Sequence, residues 1–272
     1  MGFNMRVPFF KPDPYKEITI YIPSCGRANQ LETVYWLSEE AKKKTTILVP
    51  ENEREEYQRN HKDWKFVGHK IKGIAPLRKM IIENCPTRYC MMLDDDICFY
   101  KRPKSGDWHL VYTTPEEFNN VTKTVMARVK AENLAQASVS MREGANHQLA
   151  DWAYNQRYTR YFLFDTTQLK DVVFGRLQVM EDFDIALQLL RKGKPVAICY
   201  LFAQDQKGSN TAGGCSTFRT LKIQEESATK LAELHAPFVK VVKKKTKTAW
   251  GGQERTDVMI FWKKAFESAR RK

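Results

Sequence analysis

The feature that most constrains this chain is a regular alternation of short apolar runs and helix-spaced segments over its first hundred residues. Glu17 to Ile22 (EITIYI) is rich in β-branched residues and reads as a strand, stopped by Pro23-Ser24-Cys25-Gly26-Arg27-Ala28. Leu31, Val34, Tyr35 and Ser38 follow at helical spacing and predict a helix ending near Ala41. Thr45 to Val49 is a second strand. Pro50 to Glu56 opens a polar helix with acids in its first turn, and Lys65 to Val67 is a third strand. Pro76 suits the first turn of a helix running to about Asn84, and Arg88 to Leu93 is a fourth strand. This alternation predicts an α/β fold with a mostly parallel central sheet flanked by helices. Ligands of such sheets bind beyond the carboxyl ends of the strands, and both Ser24-Cys25-Gly26-Arg27 and Asp94-Asp95-Asp96 fall there.

Downstream, Ile97 to Tyr100 reads as a strand, and Thr114-Pro115-Glu116-Glu117 is a capping box for a helix to about Glu132. Ala135 to Met141 and Arg160 to Phe164 are strands separated by a long polar and aromatic loop, Arg142 to Thr159. Gln178 to Asp184 leads into a helix ended by Gly193, and Pro195 to Tyr200 is a strand. Asp205 to Gly214 is a loop, Thr220 to Leu234 a helix, and Asp257 to Lys272 a last basic helix. Neither an internal repeat nor a low-complexity linker interrupts the chain. The expected organisation is one domain over residues 1–237 with a basic extension, 238–272, packed on it.

The 272 residues are 42% hydrophobic, enough for a sizeable core. No run approaches the roughly 18 apolar residues of a membrane helix, and Met1 to Lys16 lacks the pattern of a signal peptide. A cytoplasmic protein is expected. The six cysteines form no Cys-x-x-Cys pair, which predicts free thiols. Net charge is +13, and Lys240 to Lys272 holds 11 Lys or Arg against three acids, so +8 lies there. Lys243, Lys244 and Lys245 are its densest part. Such a surface suits a polyanion such as DNA, and also an ordinary solvated face.

Three adjacent carboxylates closing an apolar strand need a cation or water, because burying them alone would be costly. Asp94 and Asp96 form an Asp-x-Asp pair, whose side chains in extended geometry point to one side and can share Mg²⁺ or Mn²⁺. A solvated acidic turn has the same composition. Ser24 to Arg27 is either a nucleotide-holding loop or a plain strand-to-helix turn. Arg78 stands near a helix start, where a guanidinium can bind a diphosphate or simply face solvent. Glu181 and Asp182 open a helix, as acids commonly do, and one of them can also act as a base. Trp152, Tyr154, Arg157, Tyr158, Arg160 and Tyr161 interleave aromatics with arginine, which suits either base stacking or core packing. His235 is a candidate further metal ligand, with Asp205 another.

In this order the pieces resemble a GT-A-fold glycosyltransferase. The resemblance rests on Ile22 to Arg27, Gly73 to Asn84 with Arg78, Leu93 to Asp96, and Met180-Glu181-Asp182-Phe183-Asp184. More closely, the chain looks like the TET-associated glycosyltransferases of bacteriophages, through Ser138 to Asn146 and Gly213-Gly214. That family is held to glycosylate hydroxymethylated pyrimidines in DNA, such as 5-hydroxymethylcytosine. The resemblance implies that Pro23, Ser24, Gly26, Arg27, Arg78 and Asp95 lie at the donor, a nucleoside-diphosphate sugar and by expectation a UDP-sugar. It implies a metal held by Asp94, Asp96 and a third ligand. Asp182 or Glu181 would face the acceptor as base, and Arg142, Trp152, Tyr154, Arg157, Tyr158 and Lys243 to Lys245 would meet the DNA. A protein or glycan acceptor is the nearest alternative. A metal-dependent nuclease or other phosphoryl-transfer enzyme also fits an acidic cluster with a basic surface, but leaves Arg78 without a role. A nucleic-acid binder without activity leaves Asp94 to Asp96 unexplained.

Overall fold

Four strands at the start of the chain lie side by side in parallel in the computed structural model, which describes residues 13–145, 148–206, 219–245 and 252–270. They are β1 (Ile18–Pro23), β2 (Thr45–Pro50), β3 (Phe66–His69) and β4 (Tyr89–Leu93). β2 and β4 are apolar and buried on both faces, the pattern of inner strands in a parallel sheet, while β3 at the edge buries only Phe66. Between them run α1 (Glu39–Lys42), α2 (Arg54–Asn60) and α3 (Ile74–Asn84). Then follow β5 (Ile97–Lys101), β6 (Val111–Tyr112), α4 (Phe118–Glu132), β7 (Gln136–Met141), α5 (Arg142–Ala145), β8 (Trp152–Tyr154) and β9 (Tyr161–Asp165). The chain continues through α6 (Glu181–Arg191), β10 (Val196–Gln206), α7 (Leu221–Leu234), the hairpin β11 (Val239–Lys245) and β12 (Glu254–Ile260), and α8 (Trp262–Ala269).

Among the described residues ten strands form one sheet in the order β3-β2-β1-β4-β9-β7-β10-β5-β6, with β8 on β10. Following the pairings, only β9, β5 and β8 run against the other seven, so the sheet is mostly parallel in strand direction. One face packs on α4 and buries Ile20, Met91, Phe99, Phe118 and Leu163. The other packs on α3, α6 and α7 and buries Leu77, Met92, Phe162, Leu187 and Leu231. The sheet cannot be flat. The chain passes from β4 to β5 through Asp94-Asp95-Asp96 alone, although β9, β7 and β10 lie between those strands in the pairing order. Four Cα steps reach about 15 Å, while four strand spacings need about 19 Å. The sheet therefore curls, and β7 and β9 pair only at Gln136↔Phe164 and Ala137↔Leu163 before splaying apart.

Several elements differ from the sequence expectation. The helix expected over Leu31 to Ala41 is a 3-10 turn, Thr33–Trp36, followed by α1, because Ser38 caps the second segment through its hydroxyl. The loop Arg142 to Thr159 holds both α5 and β8. Asp257 to Ile260 is strand, not helix, and the lysine-rich run before it is the partner strand. Val239, Val241 and Val242 carried that β signal beneath the charges. The hairpin packs on α7 through β12, and α8 packs on α6. The capping box is as expected: Thr114 N–H donates to Glu117 Oε2 at 2.9 Å, and Glu117 N–H to Thr114 Oγ1 at 3.4 Å. Among the described residues the five cysteines are free, and no helix is long and apolar enough to cross a membrane.

Candidate active site

The turn after β4 is fixed from behind by Thr33. Its Oγ1 donates to the Asp94 carbonyl at 2.6 Å and accepts from Ile97 N–H at 3.0 Å, while Thr33 N–H donates to the Asp95 carbonyl at 3.1 Å. Asp94 to Asp96 is thus a tight turn rather than extended chain. Two arginines converge on it. Arg27, from the loop after β1, donates from Nη1 to Asp95 Oδ1 at 2.6 Å and to Asp96 Oδ2 at 2.8 Å. Arg78, one turn into α3, donates to Asp94 Oδ1 at 2.8 Å and to Glu181 Oε1 at 2.5 Å, with its guanidinium 4.5 Å from the centre of the Phe162 ring. Both arginines are buried.

Asp95 also accepts from Ser24 Oγ, tying the β1 loop to the β4 end. Tyr57 of α2 braces the same loop, bonding Ser24 Oγ at 2.8 Å and accepting from Arg27 N–H at 2.9 Å. Gly26, with φ +65°, donates its N–H to Glu53 at 2.7 Å. These contacts enclose a cleft of about 510 Å³ at the carboxyl ends of β1, β2, β3 and β4, a volume typical of ligand sites. Its walls include Pro23, Ser24, Arg27, Arg78, Asp94, Asp95, Asp96, Glu181 and Asp182. Burial pushes Asp95 up to about 6 against the pull of Arg27, and Glu181 up to about 7 against Arg78. Burial likewise raises Asp94, with Arg78 opposing and Asp96 adding to it. The cleft therefore concentrates acidic groups that two guanidiniums only partly offset.

The residues present fit a divalent cation in one specific way. Asp94 and Asp96 each give one oxygen to an arginine, and the other oxygen of each accepts no hydrogen bond from a described residue. Among the described residues no three His, Cys, Asp or Glu side chains surround one metal position. A pair of carboxylates suits Mg²⁺ or Mn²⁺, which commonly take one or two protein oxygens and complete their shell with substrate phosphates and water.

Other predicted site residues lie elsewhere. His235 is buried between α6 and α7. Its Nε2 is 2.7 Å from Asp184 Oδ1 and 3.2 Å from Arg176, and its Nδ1 is 3.3 Å from Arg191, so both ring nitrogens are engaged away from the cleft. Asp205 Oδ2 accepts from Arg142 at 3.1 Å. The aromatic stretch is not one platform. Trp152 lies under Arg128, and the Tyr154 hydroxyl donates to Glu132, both against α4. Tyr158 and Tyr161 are buried core residues on opposite faces of the sheet, and Arg157 lies over Phe183. Lys243 bonds Glu225 and Lys244 pairs with Asp257 on the C-terminal hairpin, and neither lysine lines the cleft. Gly213-Gly214 and Asn146 fall outside the described residues. Sequence reasoning missed Thr33, Glu53 and Tyr57. Tyr57 was legible only as the one aromatic side chain in an otherwise polar helix.

The fold is that of the GT-A glycosyltransferases. A mannosyltransferase from Pyrobaculum calidifontis, solved in complex with GDP-Man and Mn²⁺, superposes with a TM-score of 0.52 at 12% identity, covering 82% of this chain and 66% of its own. A mycobacterial protein superposes at 0.51 with 9% identity, covering 88% and 83%. TarS of S. aureus, residues 1–349, gives 0.47 with 12% identity, covering 79% and 65%. This chain thus spans slightly under two thirds of the mannosyltransferase and TarS chains. No curated protein matches it significantly. The profile of the TET-Associated Glycosyltransferase family matches residues 18–214, and the chain belongs to that family.

Proposed function

We propose that this protein transfers a sugar from a nucleoside-diphosphate sugar, a UDP-sugar, to the hydroxyl of a hydroxymethylated pyrimidine in phage DNA, with Mn²⁺ or Mg²⁺ bound. The observation that carries the reading is the convergence of Arg27 and Arg78 on Asp94, Asp95 and Asp96 at one cleft. The family's name supports glycosyl transfer, and a GT-A mannosyltransferase solved with GDP-Man and Mn²⁺ supports a nucleotide sugar and a divalent ion. In the reaction the bond between the anomeric carbon and the diphosphate oxygen breaks. A bond from that carbon to the acceptor oxygen forms, and the acceptor proton leaves.

The residues divide this work. The Ser24–Asp95–Arg27 set anchors the loop against which the nucleotide lies. Arg78, one turn into α3, faces the diphosphate. Asp94 and Asp96 would hold the divalent ion, which when bound would supply Lewis-acid stabilisation of the departing diphosphate. Glu181, bound to Arg78, positions that guanidinium. This leaves Asp182, half-buried at the start of α6, to take the acceptor proton if the centre inverts. A DNA acceptor sets the reaction in the host cytoplasm. The test is release of nucleoside diphosphate from a panel of nucleotide sugars with Mn²⁺. Hydroxymethylated DNA, unmodified DNA, oligosaccharides and peptides serve as acceptors. Stimulation by hydroxymethylated DNA alone is expected. Stimulation by an oligosaccharide or peptide instead would overturn the acceptor assignment.

A further inference from the structure

With Trp152, Tyr154 and Tyr158 packed into the fold, the question is what meets the bases of the acceptor strand. A column of flat side chains stands at the outer edge of the sheet, built from β5, β6 and the segment after β7. Tyr112 stacks on Trp36 with ring centres 5.2 Å apart and 19° between planes, and on Tyr100 at 4.4 Å and 28°. The Arg142 guanidinium lies 4.7 Å from the Tyr100 ring centre and closes the column. Trp36 is packed against the core and Tyr100 is buried, so the base of the column is fixed. Arg142 is held further by Nη1, which donates to the Tyr100 hydroxyl at 3.3 Å and to Asp205 at 3.1 Å. Its side chain nevertheless remains 51% exposed.

The position of Arg142 gives the column a purpose. Asp205 precedes Gln206, which lines the cleft, and Gln206 pairs with Ile97, the residue after Asp96. A half-exposed guanidinium supported on one side by an aromatic column, and tied to the residue next to a cleft-lining one, matches how proteins stack unpaired bases while attracting the phosphate beside them. A lone surface arginine is mobile, whereas this one is held at its ring face and at its tip.

We infer that Arg142, held on the Tyr100–Tyr112–Trp36 column, stacks on a base flanking the hydroxymethylated target and so positions the DNA strand at the cleft. The inference rests on DNA being the acceptor. Arg142 acts on the strand and not on the reacting atoms, so its loss shows in KM for DNA and not in kcat. Lysine keeps the charge but not the plane.

The experiment compares single-stranded oligonucleotides carrying one hydroxymethylated pyrimidine, with either normal or abasic neighbours. For the parent protein, abasic neighbours raise KM about tenfold, the loss expected for one stacked base. Arg142→Lys raises KM for the normal strand by a similar factor, leaves kcat and donor hydrolysis unchanged, and no longer distinguishes the two strands. Tyr112→Leu, which breaks the column while keeping apolar bulk, moves KM the same way, and Tyr112→Phe behaves as the parent. If the parent glycosylates both strands with KM equal within about twofold, or Arg142→Lys keeps the parental discrimination, the inference fails while the DNA reading stands. If no DNA strand is glycosylated and an oligosaccharide is, both fail.

Discussion

Arg78 carries more of the site than any other single residue, because it is shared. Its two donors hold Asp94 on the β4 turn and Glu181 on α6, and its face rests on Phe162. A lysine has neither the fork nor the plane. Arg78→Lys is therefore expected to lower donor turnover by about tenfold or more, read as kcat/KM for nucleoside-diphosphate release. Arg78→Ala leaves Asp94 and Glu181 facing each other and should cost about 3–5 kcal/mol in urea unfolding. Adding Glu181→Gln should restore part of that loss, and no recovery would show that the pair is not coupled through Arg78. A second buried acid behaves differently. Burial tends to push the Asp184 carboxyl up, but hydrogen bonds from His235 and Arg176 and the charge of Arg176 outweigh it and hold it below the usual range. Its contribution to stability is thus complete above the ordinary value of 3.8 and is lost as pH falls through the lowered folded-state value. The stability gap between parent and Asp184→Asn should be full at neutral pH and shrink only below about pH 4. A gap that shrinks instead between neutrality and pH 5 would assign the titration to another group.

At the scale of elements, the acidic turn is held by a segment far from it in sequence. Thr33, fully buried in a 3-10 turn, uses one hydroxyl to bond both Asp94 and Ile97. Thr33→Val keeps the shape and removes both bonds, which should cost about 1–3 kcal/mol and raise KM for the donor as the turn loosens. Unchanged donor KM at reduced stability would mean that the Thr33 hydroxyl does not set the geometry of the turn. Much of this level was readable from sequence. Strands β1, β2, β3 and β4, the capping box of α4 and the start of α6 all follow from β-branched runs, Pro positions and helical spacing. The pairing of arginine with carboxylate was not readable, because Arg27 and Asp95, or Arg78 and Glu181, meet only once the sheet has formed. The aromatic residues of 152–161 were equally ambiguous. Stacking surface and core use the same side chains, and only their placement on opposite faces of the sheet decides between them.

At the scale of the molecule, the carboxyl ends of the parallel strands form the cleft, and the other half of the sheet, from β9 to β6, carries the aromatic column and Arg142 at its edge. Net charge suits a polyanionic partner but locates no surface for one. Two of the three adjacent lysines in the basic run are matched by Glu225 and Asp257, so the hairpin is less cationic than its sequence suggests. The proposed reaction is sugar transfer to a hydroxymethylated base at the Asp94–Asp96 cleft. Its most direct measurement is mass spectrometry of nucleosides digested from hydroxymethylated DNA after incubation with the protein, Mn²⁺ and a nucleotide-sugar panel. A hydroxymethylpyrimidine nucleoside heavier by one sugar residue is expected with the parent protein and absent with Asp94→Asn/Asp96→Asn. A nucleoside of unshifted mass with every donor, or the same shifted product from the double variant, would contradict it.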